Sequence, residues 1–133
     1  MSETLRSMIA AARGRVTEVP PAEAYDAQQS DDVHLIVDVR EPHEFDDAHV
    51  RDSVNVPRGV LELRADADAP SADPTLSGGK SERIILYCTK SPGARSLLAA
   101  QTLQNMGYDN VEVLGGGLDA WTEAGLPVDR SAP

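Results

Sequence analysis

Ile84-Ile85-Leu86-Tyr87-Cys88-Thr89-Lys90-Ser91-Pro92-Gly93-Ala94-Arg95-Ser96 is an apolar run that ends in the chain's only cysteine, passes through a short polar loop and enters a helical pattern. Four apolar residues in sequence, Ile84 to Tyr87, read as a strand buried on both faces. From Ser96 to Met106 the residues Leu97, Leu98, Ala100, Leu103 and Met106 recur at helical spacing, and Gly107 supplies a stop. A thiol at the end of a strand, on a loop that opens a helix, sits where backbone N–H groups converge. That setting stabilises a thiolate and holds an anion. A lone cysteine is ordinarily a small buried apolar side chain. Here the loop around it points to a nucleophile.

The pattern of a buried strand followed by a helix recurs outward from this stretch. Residues 2–13 read as a short helix with Leu5, Met8, Ile9 and Ala12 on one face and Gly14 as its stop. Residues 15–19 form a short strand ended by Pro20-Pro21, and 22–29 are helical behind a proline suited to a first turn. Val33 to Val39 is a second nearly continuous apolar run, followed by a short helix over 42–48. A brief strand over 54–56 is stopped by Pro57, and a helical turn or two follows over 60–65. Val111 to Leu114 is a further strand. Gly115-Gly116-Gly117 makes a tight turn, and a last helix over 118–124 is closed by Gly125 and Pro127. Residues 66–83 are rich in Asp, Ser, Pro, Gly and Ala and read as a mobile surface loop. Strands alternating with helices predict an α/β fold with a parallel central sheet. In such sheets sites lie beyond the carboxyl ends of strands, where both Cys88 and Asp38-Val39-Arg40 fall.

With 133 residues, one folded domain over 15–133 is expected, preceded by a helical extension over 1–14. Apolar and charged contents of 41% and 26% are ordinary for a globular chain. No apolar run reaches the roughly 18 residues of a membrane span. Met1-Ser2-Glu3-Thr4-Leu5-Arg6 lacks the basic start and apolar core of a secretory signal, and one cysteine excludes an internal disulfide; a reducing cytoplasm is the expected compartment. A net charge of −10 argues against a nucleic-acid surface and would repel an anionic substrate, so any anion site must be locally basic. Lys90 and Arg95 make the Cys88 loop such a place.

Arg95 stands at a helix start, against the positive end of the dipole, so an anion or carbonyls of its own loop must compensate it. Asp38 and Arg40 end the neighbouring strand and either brace the loop through charge-assisted hydrogen bonds or meet the substrate. His34, His43 and His49 form no metal pattern, and there is no second cysteine for a zinc set, so no metal is expected. Gly115-Gly116-Gly117 lacks the spacing and lysine of a phosphate-binding loop. Trp121 reads as core.

Four blocks together resemble a single-domain rhodanese, a rhodanese-homology sulfurtransferase. They are Asp38 through Phe45 with His49-Val50; Asn55-Val56-Pro57-Arg58-Gly59; Tyr87-Cys88 through Arg95-Ser96 with Met106-Gly107-Tyr108; and Leu114 through Gly117 to Ala120-Trp121. The resemblance covers about Val16 to Val128. It implies a parallel sheet of five strands flanked by helices, with Cys88 as the nucleophile that takes sulfane sulfur as a persulfide from thiosulfate or a persulfide donor. It also implies that Thr89, Lys90, Ser91, Gly93, Ala94 and Ser96 form the substrate loop, Arg95 closes it, and Asp38 and Arg40 brace it or bind substrate. No cofactor is implied. With no second cysteine in the chain, the acceptor is external: cyanide or a thiol. Six residues separate Cys88 from Arg95, whereas the usual sulfurtransferase loop has four and the related phosphatase and arsenate-reductase branch has five. A wider pocket is therefore expected. Oxyanion chemistry on the same loop, or a persulfide carrier or interaction role, are the alternatives. The family's Gly-His-Ile-Pro-Gly-Ala segment reads Ala48-His49-Val50-Arg51-Asp52-Ser53 here. Losing both glycines removes easy access to positive φ, although Asp tolerates it better than most residues.

Overall fold

The structure, a computed structural model, describes residues 2–131. Its centre is β5 (Ile84–Tyr87), whose four residues are all buried. On one side β5 pairs in parallel with β2 (Leu35–Asp38), aligning Asp38 with Tyr87. On the other it pairs with β6 (Val111–Leu114). The outer strands β1 (Thr17–Val19) and β4 (Val54–Asn55) complete a five-stranded parallel sheet in the order β1-β6-β5-β2-β4. The expected α/β architecture is the one found.

Alternation along β5 divides the core into two layers, because successive strand side chains point to opposite faces. Ile84 and Leu86 pack with Val37, Val39, Leu97 and Leu103. This layer lies beneath α1 (Leu5–Arg13), α4 (Leu61–Ala65) and α6 (Ala94–Asn105). Ile85 and Tyr87 pack on the other face with Ile36, Ala24 and Trp121, under α2 (Pro21–Gln29) and α7 (Gly117–Glu123). Two prolines at first-turn positions start α2 and α3 (Pro42–Asp47), where a missing N–H costs nothing. Of the two positions that lack a glycine, Asp52 takes a positive φ, +66°, while Ala48 is extended at φ −169° and needs none. Between α3 and β4, His49–Val50 forms β3, which pairs antiparallel with β7 (Val128–Asp129). Two-residue strands leave no periodicity to read, and neither was expected.

Residues 66–83 require a correction. Expected as a loop with no apolar residue to bury, the segment contains α5 (Pro74–Ser77), and Leu76 is wholly buried in the α6 layer. The Asp73 carboxylate accepts the N–H groups of Thr75 and Leu76, starting the helix. The Tyr108 hydroxyl lies 2.8 Å from the Ala65 carbonyl and 3.2 Å from that of Leu76. His34 holds the same turn by a 3.0 Å contact from Nε2 to the Thr75 carbonyl. One leucine in a polar stretch is invisible to composition, yet it closes the end of a core layer. No helix among the described residues is long and apolar enough to cross a membrane.

Leu76→Ala should therefore lower stability by about 2–5 kcal/mol, the range for emptying a buried leucine site. Urea denaturation at neutral pH measures it. A loss below about 1 kcal/mol would mean that the segment does not seal the core.

Candidate active site

Cys88 follows β5 and continues the set Ile84, Leu86 toward the α6 layer, where it is 4% exposed. The chain then turns through Thr89 to Gly93 and enters α6. Gly93 caps that helix from the left-handed region, at φ +74°, and its carbonyl accepts the Leu97 N–H at 2.8 Å. Residues Cys88 to Arg95 line a hollow of about 220 Å³ with the thiol among its walls. Among the described residues, the backbone N–H groups of Thr89, Lys90, Ser91, Gly93, Ala94, Arg95 and Ser96 have no hydrogen-bond acceptor. Uncommitted donors at a helix start, around a buried sulfur, are suited to an anion.

Two elements fix this loop from outside. At the start of α7 the N–H groups of Leu118 and Asp119 donate to the carbonyls of Cys88 and Thr89, at 3.0 and 2.9 Å. The contact requires Gly117, at φ +62°, since a Cβ there would lie 2.7 Å from the Cys88 carbonyl oxygen. The tight turn expected over 115–117 thus has a use that its sequence does not declare: it brings a helix start against the strand end that carries the thiol.

The second fixture is Glu44, on α3, which sequence reasoning missed. Its carboxylate receives Arg95 in a two-pronged ion pair, Nη1 to Oε1 at 2.8 Å and Nη2 to Oε2 at 3.3 Å. Arg95 Nη2 also donates to Thr89 Oγ1 at 3.1 Å, which ties the two ends of the loop together. The Arg95 guanidinium, hydrogen-bonded to the Glu44 carboxyl, holds it down at about 2, and Glu44 in turn raises Arg95. The anion that compensates Arg95 at the helix start is therefore a side chain from α3, not carbonyls of its own loop. A guanidinium has five N–H donors, so Arg95 keeps some to spare.

Of the residues expected at the site, Cys88, Thr89, Lys90, Ser91, Gly93, Ala94 and Arg95 come together around the hollow, with Lys90 exposed. Ser96, Asp38 and Arg40 do not line it. Ser96 is 2% exposed; its Oγ donates to the Gly93 carbonyl at 3.1 Å and lies 3.4 Å from Cys88 Sγ, so it touches the thiol rather than the hollow. The Asp38 side chain shares the parity of Ile36 and falls on the opposite face from Cys88. Arg40 packs there over the Tyr87 ring, 5.9 Å from its centroid. Burial opposes the Arg40 charge, but hydrogen bonds from Nε and Nη2 to the Asp38 carboxylate outweigh it and raise Arg40. Arg40 Nη2 also donates to the carbonyls of Ala48 (2.6 Å) and Glu44 (3.3 Å). The pair thus binds itself and the carbonyls of α3 and its exit, and neither residue lines the hollow. His49 stacks on Phe45 and its Nδ1 contacts the Phe45 carbonyl at 2.7 Å, a structural placement. No cluster of three His, Cys, Asp or Glu among the described residues could hold a metal ion.

Comparison with known proteins adds a family. The rhodanese-like domain matches residues 20–124. Chloroplastic thiosulfate sulfurtransferase 16 of Arabidopsis thaliana is 34% identical over 97 residues, 71% of this chain and 78% of that protein. An uncharacterized protein of Synechocystis sp. is 36% identical over 113 residues, 85% of this chain; the chain spans 56% of that relative's length. Among solved structures, a protein of unknown function from Rhodopseudomonas palustris CGA009, a possible tyrosine phosphatase, superposes with a TM-score of 0.86. It is 31% identical, with 97% of this chain and 96% of that one covered.

The Glu44–Arg95 pair should be visible in acid. A carboxyl that ionises more readily folded than unfolded stabilises the fold fully above its unfolded value near 4.5, and that contribution is lost as pH falls toward about 2. Urea denaturation of the wild type and Glu44→Gln between pH 6 and 2 should show the wild type's advantage shrinking over that window. Parallel curves for the two proteins would mean that the pair contributes nothing to the folded state.

Proposed function

The chain belongs to the rhodanese-like domain family, and from that premise we propose that it is a sulfurtransferase working through a persulfide on Cys88. The Cys88 thiolate attacks the outer sulfur of thiosulfate or of an organic persulfide. With thiosulfate, a sulfur–sulfur bond forms on Cys88 as the bond to the sulfonate sulfur breaks, and sulfite leaves with the electron pair. The N–H groups of the loop face the persulfide charge, while Lys90 makes the mouth basic within an acidic protein and Arg95 is held by Glu44. An external nucleophile, cyanide or a thiol, then takes the terminal sulfur and regenerates the thiolate. This is covalent catalysis, and ping-pong kinetics are expected.

The observation that carries this reading is the lining of the hollow. Cys88 to Arg95 include no carboxylic acid and no histidine. Phosphate-ester hydrolysis needs a proton delivered to a poor alkoxide leaving group. Sulfite and thiolates leave as stable anions and need none. The rival, phosphatase chemistry, is favoured by the Rhodopseudomonas structure described as a possible tyrosine phosphatase. One set of assays separates the two. Cys88→Ser should abolish thiosulfate-to-cyanide transfer with the fold intact, and the intact mass of the wild type should rise by one sulfur atom after thiosulfate treatment. Hydrolysis of aryl phosphates without that mass gain would establish the rival.

The long loop has its own consequence. Binding a small dianion through several N–H groups needs them aimed at one centre, and misplacement by about an ångström costs on the order of a hundredfold. Deleting Ser91 and Pro92 leaves four residues between Cys88 and Arg95 and should raise kcat/KM for thiosulfate by about tenfold or more. If kcat/KM does not change, the extra length does not set the choice of donor.

A further inference from the structure

The mechanism leaves α1 without a role, although α1 lies against the reactive loop. Ala12 is wholly buried and Ile9 packs on the core, but nearer the helix start Leu5 is 58% and Met8 36% exposed. Leu5, Arg6, Ile9, Ala10 and Arg13, together with Pro92 of the loop, enclose a mainly apolar groove of about 610 Å³. This volume falls within the range of small-molecule sites. Pro92 also walls the Cys88 hollow, so the two recesses adjoin. Arg13 Nη2 donates to the Pro92 carbonyl at 3.4 Å, linking helix and loop. Neither Arg6 nor Arg13 has an ion-pair partner among the described residues, in a chain of net charge −10. An apolar floor edged by two unpaired guanidiniums, beside a nucleophilic sulfur, is complementary to an apolar chain with an anionic end.

We infer that this groove is the acceptor subsite, and that the acceptor is an organic thiol with an apolar chain and a terminal carboxylate. The inference rests on the sulfurtransferase reading above. The chain lies along Leu5, Ile9 and Ala10 with its carboxylate toward Arg6, and its sulfur reaches past Pro92. The acceptor thiolate attacks the terminal sulfur of the Cys88 persulfide. A new sulfur–sulfur bond forms on the acceptor, the bond to Cys88 Sγ breaks, and its electron pair remains on Cys88 as thiolate. The proton given up by the acceptor thiol passes to the transferred sulfur, which had carried the persulfide charge, so the products are the organic persulfide and the resting thiolate.

The test uses 6-mercaptohexanoate, 6-mercaptohexanol and 3-mercaptopropionate as acceptors, with thiosulfate as donor. Three additional methylenes are worth up to about fourfold each when fully buried. In a half-open groove 6-mercaptohexanoate should exceed 3-mercaptopropionate by on the order of tenfold in kcat/KM, and exceed the neutral hexanol severalfold. Arg6→Gln should remove the preference over the hexanol. Ala10→Trp, which fills the groove from the helix surface, should remove the preference for length. Neither variant should alter thiosulfate-to-cyanide transfer. Binding is read independently of turnover from amide shifts in Cys88→Ser protein, where 6-mercaptohexanoate should move Leu5, Ile9 and Ala10. Equal kcat/KM for all three thiols, with α1 amides unmoved, overturns the inference while leaving the sulfurtransferase reading intact. Saturable shifts on α1 in a protein that transfers no sulfur would sink that reading instead and leave the groove as a binding site. Shifts on α1 that follow protein concentration alone would make the face a self-association surface, and the inference fails.

Discussion

A guanidinium buried among carbonyls holds this site together. Arg40 is 5% exposed and Asp38 is wholly buried, and a buried charge pair of this kind is costly to form. The compensation is in geometry. Asp38 fixes the Nε and Nη2 edge of the Arg40 fork, and Nη2 also gathers the carbonyls of Ala48 and Glu44. Those carbonyls belong to α3 and its exit, so the orientation of a six-residue helix is set from the end of β2. Glu44 then faces Arg95, and Arg95 spans the loop to Thr89. A chain of charge-assisted contacts runs from the centre of the sheet to the rim of the thiol hollow. Removing one partner of the buried pair would strand the other charge and release α3, which explains why residues that do not line the hollow are still bound up with its shape.

The opposite side of the loop is held by packing rather than charge. Gly117 lets α7 approach until its first N–H groups meet the carbonyls of Cys88 and Thr89. Those carbonyls are thereby engaged by α7, and the N–H groups of the residues that follow have no acceptor among the described residues. A peptide unit has one donor and one acceptor at opposite ends, so engaging the carbonyls on one side is an economical way to present the donors on the other. The presentation of those donors is in this sense imposed by α7 as much as by the start of α6.

The parallel sheet and the strand–loop–helix passage around Cys88 were legible because they rest on local pattern. Buried strands show as apolar runs, and a cysteine between such a run and a helix marks its own position. The parts that escaped depend on contacts distant in sequence. Glu44 is one of several acidic residues near the start of α3, and nothing local singles it out; only the fold brings it to Arg95, 51 positions away. Asp38 and Arg40 left two roles open because spacing alone does not say which face of the sheet a strand-end side chain takes. The pairing of Asp38 with Tyr87 decides it. Leu76 was lost in a polar stretch because composition averages over a window, whereas burial is a property of one side chain. Strands β3 and β7 are too short for any period to register.

Electrostatics and the width of the loop bear on the same question of substrate. A protein of net charge −10 opposes the approach of any anion, and the opposition grows with the charge carried. At moderate ionic strength, screening confines this field to about 10 Å, so the groups near the hollow decide the outcome. Arg95 is paired with Glu44, whereas Lys90 and the guanidiniums on α1 have no ion-pair partner among the described residues. On the proposed reading, a small dianion such as thiosulfate is held by Lys90 and the loop N–H groups. A monoanion with an apolar body meets less repulsion and gains from leaving water, an attraction that salt does not screen. The six residues between Cys88 and Arg95 include Pro92, which the loop places against α1. On the proposed reading, the extra length shifts recognition from charge toward apolar contact, and the two features act in one direction.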